Sequence, residues 1–118
     1  MEWKSICNAD QIGAGEMQIV EIDGTRFLVL KQTDDEPLVV PPVCPHMTMD
    51  LCDGFFDGEI LTCAQHLWQW SAKDGSVHGG IAERPLLVYP SRKVNGVLEI
   101  QFESELRYGH ETDAEETP

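Results

Sequence analysis

Two cysteine–histidine pairs stand in the middle of this chain. The first is Cys44-Pro45-His46; after 16 intervening residues comes Cys63-Ala64-Gln65-His66. Thiolate and imidazole are both strong ligands for transition metals. Zinc is one possible occupant, since two Cys and two His complete a closed tetrahedral site. Structural zinc sites, however, usually tether like with like, Cys with Cys and His with His. Here each tether mixes the two, as C-x-H and C-x-x-H. Mixed tethers suit two metal centres, each tether giving its Cys to one ion and its His to the other.

That division of ligands is the one a Rieske 2Fe–2S cluster requires, with two His in place of two Cys on one iron. The spacing favours this cluster over zinc, although zinc remains the alternative. Pro45 stiffens the first tether. A lone C-x-x-H would say little; the four-residue pattern is specific.

The elements that must hold these pairs read as strands. "EMQIVEI" runs through Asp23-Gly24 into "TRFLVL", and Asn95-Gly96 precedes "VLEIQF". Both dipeptides mark two-residue hairpin turns of the I′ kind. "LVVPPV" is a short apolar strand whose prolines suit an edge or an end. "EILTC" and "LWQWS" are two strands flanking the tip with Cys63 and His66, and "PLLVYP" is a further strand. "NADQIGAGE" holds at most one helical turn. The expectation is one all-β domain over residues 1–108, with a small cluster-binding subdomain at about 43–78. Residues 109–118 are expected to form an acidic, disordered tail.

With 118 residues and 42% hydrophobic content, the chain can bury one core. No apolar run reaches the roughly 20 residues of a membrane span. The N-terminus lacks a signal-peptide pattern, so the expected compartment is the cytoplasm. A formal net charge of −13 argues against nucleic acid as a partner. Between Lys31 and Lys73 there is no Lys or Arg, while Asp34, Asp35, Glu36, Asp50, Asp53, Asp57 and Glu59 all fall inside. This acidity serves solubility alone, or it forms a docking surface for a basic partner; charge by itself does not decide. Cys7 and Cys52 have no neighbouring His and read as small buried apolar residues.

The chain resembles the Rieske ferredoxin component of bacterial multicomponent di-iron monooxygenases, which oxidise toluene, xylene, isoprene or related alkenes. The resemblance runs through "ICNADQIGAGEM", "CPHM", "GEILTCAQHLW" and the "YP" before the last hairpin. His66 continuing into Leu67-Trp68 resembles these proteins more than the ferredoxins of ring-hydroxylating dioxygenases. The resemblance implies a β-sandwich-like fold with both ligand loops at an exposed tip. It also implies that Cys44 and Cys63 bind the inner iron and His46 and His66 the outer one. By the same resemblance, the positions of an additional loop disulfide and a cluster-donating Ser in respiratory Rieske proteins correspond here to Met49, Gln65 and Trp68. Fewer hydrogen bonds to the cluster and seven nearby acids both disfavour adding an electron, which places the potential at roughly −150 to 0 mV.

The function expected is electron transfer, in single electrons, from an NADH-dependent reductase to a di-iron hydroxylase of aromatic or alkene catabolism. The chain itself is not expected to be an enzyme. The ferredoxin of a ring-hydroxylating dioxygenase system and a zinc-binding structural module are the alternatives. An autonomous oxygenase is excluded on size, because His78 and His110 are the only spare histidines for a second iron site. Trp68 and Trp70, two apart on a strand, face one side and either pack the subdomain or meet the partner. Met47 and Met49 stand on the ligand loop as a shield or an adaptable contact. His78 reads as a turn or surface residue.

Overall fold

The computed structural model describes residues 3–34, 36–43, 51, 54–63, 68–79, 85–102 and 106. Three antiparallel sheets are found among them. The first hairpin joins β2 (Met17–Ile22) to β3 (Thr25–Lys31), and β3 also pairs with β4 (Pro37–Val40). Asp23 and Gly24 have φ of 51° and 83°, so the turn takes the left-handed backbone that Asp-Gly tolerates. A second sheet, in the order β1-β10-β9, comprises β1 (Trp3–Asn8), β9 (Ser91–Val94) and β10 (Val97–Gln101). Asn95 and Gly96, at φ 52° and 79°, turn its hairpin in the same way. The third sheet runs β5 (Phe55–Phe56), β6 (Ile60–Thr62), β7 (Gln69–Ser71) and β8 (Val77–His78).

The β2-β3-β4 sheet is the middle layer, and its sequence shows why. "FLVL" is apolar without alternation, and Phe27 to Leu30 are all buried. A strand with no polar face must be covered on both sides. Phe27, Val29 and Val39 face Ile6, Tyr89, Leu98 and Ile100 in one core. Leu28, Leu30, Leu38 and Val40 face Leu61, Trp68, Trp70 and Leu86 in the other. The register Leu28↔Val40, Val29↔Val39, Leu30↔Leu38 keeps both sets aligned across β3 and β4. In the first core the Phe27 ring meets Tyr89 edge-on at 5.0 Å and Phe102 at 5.6 Å.

The third sheet is therefore the layer above β2-β3-β4, and Cys63 of the second Cys-His pair directly follows its strand β6. Its β5–β6 turn is bound to the layer below through Thr33 N–H donating to Gly58 O, 3.1 Å. Gly58 sits at φ 98°, and a Cβ there would stand 2.5 Å from Thr33 Cγ2. Lys31 ends β3 buried, its Nζ donating to Ala9 O at 2.7 Å. The cation at the start of the acidic interval is thus withdrawn from the surface.

The all-β expectation holds, with one short 3-10 turn at Ala9–Gln11 where a single helical turn was expected. "PLLVYP" does not form a strand: residues 85–90 make one isolated bridge, Val39↔Tyr89. Prolines at both ends leave it no room for a ladder. Strands β1, β5, β8 and β9 were not foreseen. The tail at 109–118 lies outside the described residues. No helix among the described residues is long and apolar enough to cross a membrane.

Candidate metal centre

Of the four predicted ligands, Cys63 is described; Cys44, His46 and His66 lie outside the described residues, as do Met47, Met49, Asp50, Cys52, Asp53 and Gln65. The two segments bearing the pairs are nonetheless defined at their bases. Leu51 N–H donates to Pro42 O at 2.7 Å, joining the two flanks of the first segment. Cys63 N–H donates to Trp68 O at 2.8 Å, joining the two flanks of the second. The described flanks of each segment are therefore joined by a backbone hydrogen bond.

Why the second loop forms is legible strand by strand. Ile60↔Ser71, Leu61↔Trp70 and Thr62↔Gln69 pair in register, and the alternation sends Leu61 and Trp70 into the core. Thr62 and Gln69 face the other way, where Gln69 Nε2 donates to Thr62 Oγ1 at 3.1 Å. That bond braces the last rung before Cys63. At the far end, Asp57 accepts from Ile60 N–H at 2.8 Å and Glu59 N–H at 2.9 Å, which shapes the β5–β6 turn. These two bonds, led by that from Ile60, hold the Asp57 carboxyl below its usual value of 3.8.

The first loop is anchored by Leu51, fully buried beside Leu61, Cys63, Trp68 and Trp70. From Leu51 the backbone turns at once, with Gly54 N–H donating to Leu51 O at 2.9 Å. Gly54 lies against Thr62, so the bases of the two loops touch. The geometry thus brings the described flanks of both Cys-His segments together over one core.

Cys63 is 1% exposed and stands at the loop mouth rather than deep in a strand. A sulfur there is screened from water by the apolar core on which it sits. A buried cysteine at this position fits the expectation that the cysteines of the two pairs lie on the inner side of a cluster. Cys7 differs: it is half-buried on β1 against the other core, and burial pushes its thiol up.

Trp68 and Trp70 share one side, as expected from their spacing. Both are buried, with ring centroids 6.3 Å apart in an edge-on arrangement. They pack the subdomain onto the middle sheet, and the alternative of an exposed partner contact at these rings is not what the structure shows. His78 is exposed, as read, but belongs to strand β8 opposite Gln69. Gly54, Thr62 and Gln69 were not singled out from sequence. Their part depends on contacts between segments, which no local pattern encodes.

Comparison with known proteins agrees with this geometry. The chain is 29% identical over 114 residues to the ferredoxin subunit of methanesulfonate monooxygenase from Methylosulfonomonas methylovora, covering 96% of this chain and 91% of that protein. It is 27% identical over 93 residues to the biphenyl dioxygenase ferredoxin subunit of Pseudomonas sp. strain KKS102, covering 78% and 84%. Among solved structures, the ferredoxin of Sphingomonas yanoikuyae B1 superposes with a TM-score of 0.75 at 23% identity, over 86% of this chain and 100% of that one. At that identity the likeness is one of fold. A family model for the Rieske [2Fe-2S] domain matches residues 2–90. Three-quarters of the chain, including both Cys-His pairs and the sheets that bring their loops together, thus match one family: the protein belongs to the Rieske [2Fe–2S] domain family, and its cofactor is the Rieske 2Fe–2S cluster.

Proposed function

We propose that this chain is a one-electron carrier that takes electrons from an NADH-dependent reductase and delivers them to the oxygenase component of a multicomponent system. The observation that carries this reading is that the flanks of the two segments bearing the Cys-His pairs meet, Gly54 against Thr62, at one end of a small sheet. In this reading Cys44 and Cys63 hold the inner iron, and His46 and His66 hold the outer iron at the protein edge. The cluster, when bound, supplies a reversible one-electron couple. The chain's own residues do the rest. Leu51, Leu61, Trp68 and Trp70 form an apolar floor that keeps water from the sulfur side.

Both relatives named above are ferredoxin subunits, one of a monooxygenase and one of a dioxygenase, which supports an oxygenase as the acceptor here. A di-iron hydroxylase of aromatic or alkene oxidation is the reading favoured by "QHLW". Trp68 in that motif is a packing residue of this fold. The dioxygenase reading has the biphenyl system's ferredoxin in its favour. A cytoplasmic location fits an NADH-fed carrier.

A redox titration tests the carrier reading. A midpoint of roughly −150 to 0 mV is expected, low enough to be reduced by an NADH-fed flavin and high enough to feed an oxygen-activating iron. A midpoint above about +100 mV would count against it. Reconstitution with a di-iron hydroxylase and with a Rieske dioxygenase, each supplied with a reductase, separates the two acceptor classes.

A further inference from the structure

We propose that Gly54 is the positioning residue that sets how closely the two ligand-bearing loops approach. The inference rests on the assignment of Cys44, His46, Cys63 and His66 as ligands. A Cβ at residue 54 would stand 2.2 Å from Thr62 O, 3.1 Å from Leu51 O and 3.2 Å from Thr62 C. The first of these falls short of ordinary contact by about 1.2 Å. All three atoms are backbone, so no side-chain rotation can relieve the overlap. Gly13 offers the contrast, since a Cβ there would meet the movable carboxylate of Glu16. The requirement at Gly54 is steric, because its φ is not in the left-handed region.

The contact falls on a particular peptide. Thr62 O and Cys63 N–H belong to the same planar unit, so a push on the carbonyl turns the amide with it. That amide is the donor whose bond to Trp68 O closes the second loop. On the other side, Gly54 N–H is held by Leu51 O, and Leu51 N–H by Pro42 O, which closes the first loop. A continuous backbone relay, Pro42–Leu51–Gly54–Thr62/Cys63–Trp68, therefore links the two loop mouths, and its narrowest step is a glycine. A metal site must be held within about 0.5 Å of its working geometry. A displacement of about 1.2 Å at that step exceeds the tolerance.

The test compares cluster-loaded full-length protein with its Gly54→Ala and Gly13→Ala variants. The readouts are the low-temperature EPR signal of the reduced state, visible circular dichroism, and the rate of cluster loss to a chelator. Gly54→Ala should shift the g values and visible dichroism and lose its cluster at least about tenfold faster. Gly13→Ala should match the wild type in all three. A folded Gly54→Ala protein with wild-type g values and retention would overturn the proposal. A second measurement needs no variant. Hydrogen exchange of the wild-type holoprotein, read at single-residue resolution, should show the Leu51, Gly54 and Cys63 amides opening together. A freely exchanging Gly54 amide beside a protected Cys63 would equally overturn it. If the wild type itself lacks a mixed-ligand signal, the ligand assignment fails; a mixed-ligand wild type with an unaffected Gly54→Ala removes the Gly54 inference alone.

Discussion

Trp70 is the largest fully buried side chain and lies between the middle sheet and the cluster-bearing sheet. A Trp ring buries about 150–250 Å² and gains roughly 0.5–1.5 kcal/mol more from an aromatic neighbour, here Trp68 at 6.3 Å. At about 25 cal/mol per Å², the burial alone amounts to roughly 4–6 kcal/mol. Partial collapse of the hole brings the expected cost of Trp70→Ala to about 3–5 kcal/mol. That is a large share of the roughly 5–15 kcal/mol that holds a domain together. Trp70→Phe keeps an aromatic edge against Trp68 and should cost about 1–2 kcal/mol. For a chain of this size, such a loss lowers the melting temperature by about 4–8 °C. Unfolding releases the cofactor and is not reversible, so the assay is an apparent melting temperature at one scan rate, followed by far-ultraviolet dichroism and visible absorbance together. Because one core joins the two layers, both signals should vanish at the same temperature in wild type and variant. A Trp70→Phe protein melting within about 1 °C of wild type would refute the reasoning, as would cluster loss well below the loss of strand signal.

Gly58→Ala should cost about 1–3 kcal/mol, from its left-handed backbone and from the overlap with Thr33 Cγ2; Thr33→Ser in the same chain should recover part of the loss in a thermal melt. Asp57 is held below its usual carboxyl value, so its contribution is present above the unfolded value of 3.8 and is lost as pH falls through the folded value. Asp57→Asn should therefore reduce the acid-range slope of stability against pH and leave the slope near neutrality unchanged, as read by melts across the range. Electron delivery to the oxygenase should slow as ionic strength rises if the acidic interval from 50 to 59 meets a basic rim. Stopped-flow rates indifferent to salt would remove that role from these acids, although Asp57 would keep its part in the turn.

Much of the positioning frame was readable from local signals. Asp23-Gly24 and Asn95-Gly96 announce their hairpins because the left-handed backbone they permit is needed nowhere else in those segments. The unbroken run "FLVL" contains the hint that β3 is covered on both faces, though the third layer itself was expected only as a subdomain. Trp68 and Trp70 were readable by spacing, since period two sends both rings to one side. What escaped reading depended on distant partners. Strand β1 pairs with β10 across nearly the whole chain, and an irregularity between Ser5 and Cys7 breaks its alternation. Strands β5 and β8 are two residues each and exist because β6 and β7 offer them edges. Gly54 looks like any loop glycine until Thr62 is placed beside it. The family, by contrast, was legible from the Cys-His spacing, because a metal's demand for donors falls on the sequence directly.

Low-temperature EPR of the reduced protein, prepared with ¹⁵N-labelled histidine and examined for nitrogen hyperfine coupling, tests the central claim most directly. The account predicts an average g value below that of an all-thiolate 2Fe–2S cluster and couplings from two histidine nitrogens, reduced to one or lost in His46→Ala and His66→Ala. An all-thiolate signal without histidine coupling, or a colourless protein without inorganic sulfide, would contradict it.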